Sequence, residues 1–316
     1  MSILSTPART AADVTPEIVR TRLEGHKTDI PGALFRVALL LALGFALLIL
    51  GVLVASIVSG GTSVLTDRLF GFLNGRLSSL PGQAGVAQGL RGTFWIGVFI
   101  VVLTFPIGIG AAIYLEEYAA KSRLTRFIDI NIRNLAGVPS IVYGILGFAI
   151  FVKALGGETG GRSVIAAGIT LAILVLPIVI ITAAEAIRAV PQGLREAGFG
   201  IGATRWEVVR HHVLPYAAPG VLTGTVLALA RALGEAAPLI LIGAVTGALG
   251  SNPGLLDVGS LKDRFTAMPI VITSWAGEAQ GGFRENTAAA IIVLMAIVLI
   301  ANTAAILLRN RYEKKR

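Results

Sequence analysis

The sequence predicts an all-α integral membrane protein with six transmembrane helices and both ends on the cytoplasmic side. Three observations carry this. Of 316 residues 54% are hydrophobic and only 14% charged, with a mean hydropathy of +0.79, far from the balance of a soluble domain. Six stretches supply the roughly 20 mostly apolar residues that a helix needs to cross a bilayer. Lys and Arg also concentrate on alternate connecting segments, as positive-inside orientation requires. Cysteine is absent, which removes disulfides, thiolate metal sites and cysteine nucleophiles from consideration. The net charge of +9 is scattered over short loops, without the basic stripe and stacking aromatics of a nucleic-acid-binding surface.

Taken in order, Met1–Pro31 is polar and carries Arg9, Arg20, Arg22 and Lys27. That is too long and hydrophilic for a signal-peptide n-region, so residues 1–32 read as a cytoplasmic tail and the first span as retained. The spans are Leu34–Val58, Gly92–Leu115, Gly137–Leu155, Ser163–Ile187, Gly220–Val245 and Thr287–Leu308. They place the transmembrane domain at 33–308 and leave 309–316 as a basic cytoplasmic tail. Pro106, Pro139, Pro177 and Pro238 fall within the spans, which is tolerated where neighbouring helices or polar cavities satisfy the freed backbone groups; a bundle is therefore expected. The tails, the second loop (Lys121, Arg123, Arg126, Arg133) and the fourth (Arg188, Arg195, Arg205, Arg210) hold 17 Lys and Arg against 8 in the alternate loops. Those alternate loops include Ser59–Arg91 and Thr246–Asn286. In the latter, Ser260 and Asp263 have capping-box spacing, with Leu261, Phe265 and Met268 at helical intervals. A short surface helix is expected there.

The fourth loop, 188–219, has structure of its own. Pro191 can open a helix that runs through Leu194, Ala197 and Phe199 until Gly200 and Gly202 break it. Thr204-Arg205-Trp206-Glu207 is a capping box that starts a second short helix, stopped before Pro215. Trp206, Val209 and Val213 share one face of that helix, an apolar knob beside Arg205 and Arg210. Such a knob suits a groove on another protein, and equally an interfacial helix on lipid headgroups.

Glu196-Ala197-Gly198, Gly202 and the closing Leu214-Pro215 resemble the EAA loop of ABC importer permeases. Gly198 in place of a second alanine, and His212 where Ile or Val is usual, depart from that pattern. Five further segments resemble, in the same order, the PstA family of phosphate-transport permeases. They are GAAIYLEEYA from Gly110, GVPSIVYGILGF from Gly137, LPIVI from Leu176, ARALGEAAPLI from Ala230 and FTAMPIVITSWA from Phe265. The resemblance covers about residues 88–308. It implies a type I ABC importer (MetI-like) permease in a bacterial plasma membrane, with Glu196, Ala197, Gly202, Thr204, Arg205, Trp206, Glu207, Leu214 and Pro215 engaging an ATPase. It also implies a homologous permease partner, PstC, a PstB ATPase dimer and an extracytoplasmic phosphate-binding protein, PstS. No cofactor is expected on this chain, ATP and Mg being bound by the ATPase. One basic residue often found after the fourth span's Pro-Ile-Val-Ile is missing, the chain reading Ile181-Thr182-Ala183-Ala184-Glu185.

Arg231 and Glu235 are out of place in an apolar run. One charge at a helix centre in lipid costs at least about 2.5–3.5 kcal/mol, so both must face protein or water. Four residues apart, they can pair on one helix face. The pair can be a structural brace, or Arg231 can offer its planar fork to a passing oxyanion while Glu235 orients it. The family resemblance places this pair in the translocation pathway. Other oxyanions, molybdate or sulfate, remain alternatives, as does a self-contained secondary carrier, although the inverted repeats of a carrier are not evident.

Three signals carry no chemistry. Gly156–Ser163 has P-loop spacing with Arg162 for lysine, but lacks the strand and helix of a nucleotide-binding fold. His211 and His212 point to different helix faces with no carboxylate cluster beside them. Glu116 and Glu117 read as solvated helix-end charges.

Overall fold

A computed structural model of the protein describes residues 30–247, 249–250, 252 and 254–313. The basic residues Arg9, Arg20, Arg22 and Lys27, and residues 314–316, lie outside them. The chain divides into two units, residues 1–55 and 56–316. In the first, residues 30–55 are helical, with Leu39, Leu40, Leu41 and Leu53 exposed around the helix, as suits a helix whose solvent is hydrocarbon.

This helix, α1 (Ile30–Asn74), leaves helical geometry at Arg68, at φ −145° and ψ 36°. The Arg68 guanidinium donates to the carbonyls of Pro81, Gly82 and Ala84 and to Asn286 Oδ1, and so holds the following turn against the helix. The remaining helices longer than four residues are α2 (Ala87–Tyr118), α3 (Arg123–Ala136), α4 (Ser140–Ala154), α5 (Val164–Arg188), α6 (Gln192–Gly200), α7 (Arg205–Leu233), α8 (Ala237–Ile242), α9 (Met268–Ala276) and α10 (Gly281–Glu313). Helices α1, α2, α5, α7 and α10 are long and apolar enough to cross a bilayer, and α3 with α4, bent by 97°, make a sixth candidate. The bend falls at Gly137–Pro139, where Pro139 cannot continue the preceding ladder. Ser122 and Ser163 cap α3 and α5 by accepting from the N–H groups of Thr125 and Ala166.

Helix α5 is the hub. It is the most buried of the candidate spans, and the helices around it approach through glycine. A Cβ on Gly108 of α2 would lie 2.7 Å from Val179 Cγ1, one on Gly147 of α4 would lie 2.6 Å from Thr170 Cγ2, and one on Gly224 of α7 would lie 2.5 Å from Thr182 Cβ. Ile96, Ile100, Leu171, Val175, Ala228 and Leu239 fill the core between these helices.

Three expectations need correction. The fifth span is not one helix over Gly220–Val245: α7 ends at Leu233, Gly234 caps it, and α8 starts afresh at Ala237 with Pro238 in its first turn, where a missing N–H breaks no ladder bond. The second short helix of the 188–219 loop does not stop before Pro215. A π-helical turn at Val209–Val213 carries Leu214 N–H back to Val209 O, and Pro215 sits in the first turn of the α-helical register that follows, so α7 runs on. Finally, no helix starts at Ser260. A 3₁₀ turn over Gly259–Lys262 ends in extended backbone at Asp263, while Leu261, Phe265 and Met268 are buried. The Ser260 hydroxyl is engaged by Arg91 and Asp257 rather than by a helix N-terminus. Arg91, itself buried, also donates to Gly254 O and Asp257 O and so pins this loop to α2.

Candidate functional site

The two sequence-predicted sites lie at the two ends of one helix. Helix α7 holds 29 residues, about 43 Å at 1.5 Å per residue. The 188–219 loop leads into its start, and Arg231 occupies its last turn, where a cation is favoured by the helix dipole. Glu235 lies past the helix end, its N–H bonded to Ala232 O. Arg231 Nε stands 3.5 Å from Glu235 Oε1, with the side chains 52% and 20% exposed. The pair therefore forms across a helix terminus rather than along a helix face, and it leaves the guanidinium open on one side. A mostly apolar cavity of about 730 Å³ beside Arg91, Phe94, Leu229, Leu233 and Leu255 does not include the pair.

At the other end, α6 runs from Gln192 to Gly200 with Pro191 at its N-cap. Gly202 turns the chain at φ 83°, a left-handed conformation that glycine adopts without penalty. The capping box is complete: Thr204 Oγ1 accepts from Glu207 N–H, and the Glu207 carboxylate accepts from Thr204 N–H at 2.8 Å. Glu196, Ala197, Arg205, Trp206, Glu207 and Pro215 are exposed, and Leu214 is half-buried. Arg205 lies over the Tyr118 ring, 5.7 Å from its centroid.

Gly198 explains itself in this packing. A Cβ there would lie 2.8 Å from Val208 Cγ2, so its absence lets α6 close onto α7. The apolar knob is composed differently from the sequence pattern. Val209 and Val213 are buried, Val213 in a cluster with Ala183, Ile187 and Ala217, and only Trp206 of the expected three is exposed. Phe199 at the end of α6 and Ile201 on the glycine turn are large apolar side chains that are exposed beside it.

Glu116 and Glu117 are not merely solvated. Arg188 reaches Glu116 Oε1 and Oε2. Arg195 Nε and Nη2 donate to Glu117 Oε1 at 3.0 and 2.7 Å, in a pair whose side chains are only 12% and 9% exposed. Sequence reasoning missed this contact because 78 residues separate the partners. The signal available was two acids ending the second span and two arginines flanking Pro191 at the start of the fourth loop.

The family model of binding-protein-dependent transport system inner membrane components matches residues 104–315. The chain is 32% identical to the probable ABC transporter permease protein YqgI of Bacillus subtilis, over 82% of this chain and 88% of that one. It is 33% identical to the phosphate transport system permease protein PstA 1 of Mycobacterium tuberculosis, over 75% of each. Among solved structures it is similar to a bacterial alginate ABC transporter, with a TM-score of 0.62 at 14% identity, over 88% of this chain and 94% of that one, a likeness of fold. The chain belongs to the family of binding-protein-dependent transport system inner membrane components, the membrane-spanning permeases of ABC transporters.

Proposed function

We propose that this chain is one of the permease subunits of an ATP-driven inorganic phosphate importer in a bacterial inner membrane. The observation that carries the reading is the continuity of α7, which has a structured loop at one end and a half-exposed arginine at the other. Phosphate as cargo follows from the name of the mycobacterial relative and from the match of a guanidinium fork to phosphate oxygens.

In this reading Arg231 contacts the anion in the pathway, and Glu235 holds the guanidinium between passages and keeps its grip weak enough for release. The loop from Glu196 to Pro215, with Gly202 as its turn and Thr204, Arg205, Trp206 and Glu207 at its tip, docks on a dimeric ATPase of the PstB kind. That ATPase binds ATP and Mg; this chain binds no cofactor and makes no covalent change. A homologous permease of the PstC kind supplies the other half of the pathway, and a phosphate-binding protein of the PstS kind delivers cargo outside. Closure of the ATPase dimer pulls the loop, and α7 passes that displacement to the level of Arg231 as a rigid-body rocking of the spans.

The test is labelled phosphate uptake in cells that depend on this chain, with and without the partner ATPase and in the presence of excess molybdate or sulfate. Uptake lost with the ATPase and indifferent to the competitors is expected. Uptake surviving without the ATPase would make the chain a carrier; suppression by molybdate or sulfate would reassign the cargo.

A further inference from the structure

We propose that Arg195 is a positioning residue of the transport cycle, locking α6 to the ends of α2 and α5 so that a stroke on the loop moves these elements as one body. The inference rests on the proposed ATP-driven function and concerns how force enters the bundle. One guanidinium joins three elements. From α6, Arg195 donates through Nε and Nη2 to Glu117 Oε1 in the last turn of α2. Its Nη1 donates to Val190 O at 2.7 Å, and Nη2 also reaches Ile187 O at 2.9 Å, carbonyls at the C-terminal end of α5 where helical partners run out. Glu196 and Ala197 are the next residues along the chain, so a load on the exposed face of α6 acts directly beside this anchor.

The character of the pair separates it from its neighbour. Arg188 with Glu116 also ties α5 to α2, but the Arg188 side chain is 55% exposed, and such pairs yield readily to water and salt. The Arg195–Glu117 pair is nearly buried and charge-assisted on every bond, and an arginine fork fixes direction as well as distance. The other contact that brings α6 to α2 among the described residues is the apolar cluster that holds Leu194 of α6 and Ala112 of α2, and apolar contacts can slide. With it, α2 is held to the loop by a directional contact, although no covalent link runs between them nearer than α5. Lysine would bring three N–H donors from one point where the arginine makes four bonds from three nitrogens spread over a planar fork.

The chain's lack of cysteine allows a direct test. Spin labels are placed by Gln192→Cys on α6 and Ala120→Cys just beyond α2, both exposed positions, in the complete complex with its ATPase. The label distance is read with and without a non-hydrolysable ATP analogue. In the otherwise wild-type chain the distance should hold on nucleotide binding; in Glu117→Gln it should change, while in Glu116→Gln it should hold. In proteoliposomes, Glu117→Gln should keep ATP hydrolysis but lower phosphate uptake per ATP about tenfold, the size of a typical coupling free energy. A nucleotide-dependent distance in the wild-type background overturns the proposal, and that measurement stands even if Glu117→Gln fails to assemble. An unchanged distance or an unchanged uptake per ATP in assembled Glu117→Gln overturns it as well. The distances need no transported substrate, so a failure of the phosphate reading would show as absent uptake in the wild type and leave this result separate.

Discussion

Replacing Arg231 with Gln separates a structural brace from a transport contact, because the structure makes the two readings differ in size. At the observed 3.5 Å, two unit charges attract by about 1.2 kcal/mol in water and about 4.7 kcal/mol at an effective dielectric constant of about 20. Arg231 is half-exposed and meets Glu235 through a single nitrogen–oxygen approach, so the lower value applies, and pairs of this kind contribute about 0–1 kcal/mol to stability. As a brace, then, the pair is weak, and Arg231→Gln should leave assembly and abundance near wild type. A charge-assisted hydrogen bond to the passing anion is worth about 1.5–3 kcal/mol, or about 10- to 150-fold in rate if made in the limiting step. The assay is initial uptake of labelled phosphate in cells lacking the native gene and complemented with either chain, with ATPase co-purification as the check on assembly. A loss of that size at equal abundance is expected. Uptake within about threefold of wild type, below about 0.7 kcal/mol, would refute the reasoning and leave the pair as a brace.

Three further outcomes follow from named contacts. Gly147→Ala should lower the stability of the detergent-solubilised protein by about 1–3 kcal/mol through overpacking, because its Cβ would meet the buried Thr170 side chain; Gly110→Ala, with open space around it, is the control, and equal melting temperatures would refute the contact. Thr204→Ala removes the capping box and should weaken the start of α7 by about 1 kcal/mol, seen as faster hydrogen exchange at the amides of Arg205–Val208, with Thr204→Ser restoring protection. Trp206→Ala removes the large exposed aromatic at the loop tip and, if the loop docks on an ATPase, should weaken co-purification by about 30-fold, a hot-spot loss of about 2 kcal/mol; undiminished capture would place the contact elsewhere.

The features legible in the residues alone are those whose cause is local. Apolar runs of sufficient length became helices, because a backbone in hydrocarbon must satisfy its own hydrogen bonds. Thr204 and Glu207 formed their capping box within four residues, and Gly202 took the left-handed turn that other residues resist. The family motifs also pointed to the permease fold that the comparisons bear out. The environment of each charge and the facing of each apolar residue were settled by long-range packing. Ser260 and Asp263 have the same local pattern as a capping box, yet Arg91, 169 residues away, takes the hydroxyl. Val209 and Val213 share a helix stripe with Trp206, but the stripe is split: both valines are buried, Val213 in a cluster with residues of α5 and α2, and the tryptophan is left bare. Glu117 is an ordinary helix-end acid until α6 folds back and delivers Arg195 to it. Helix periodicity states which residues lie on the same side; which side is covered depends on neighbours far along the chain.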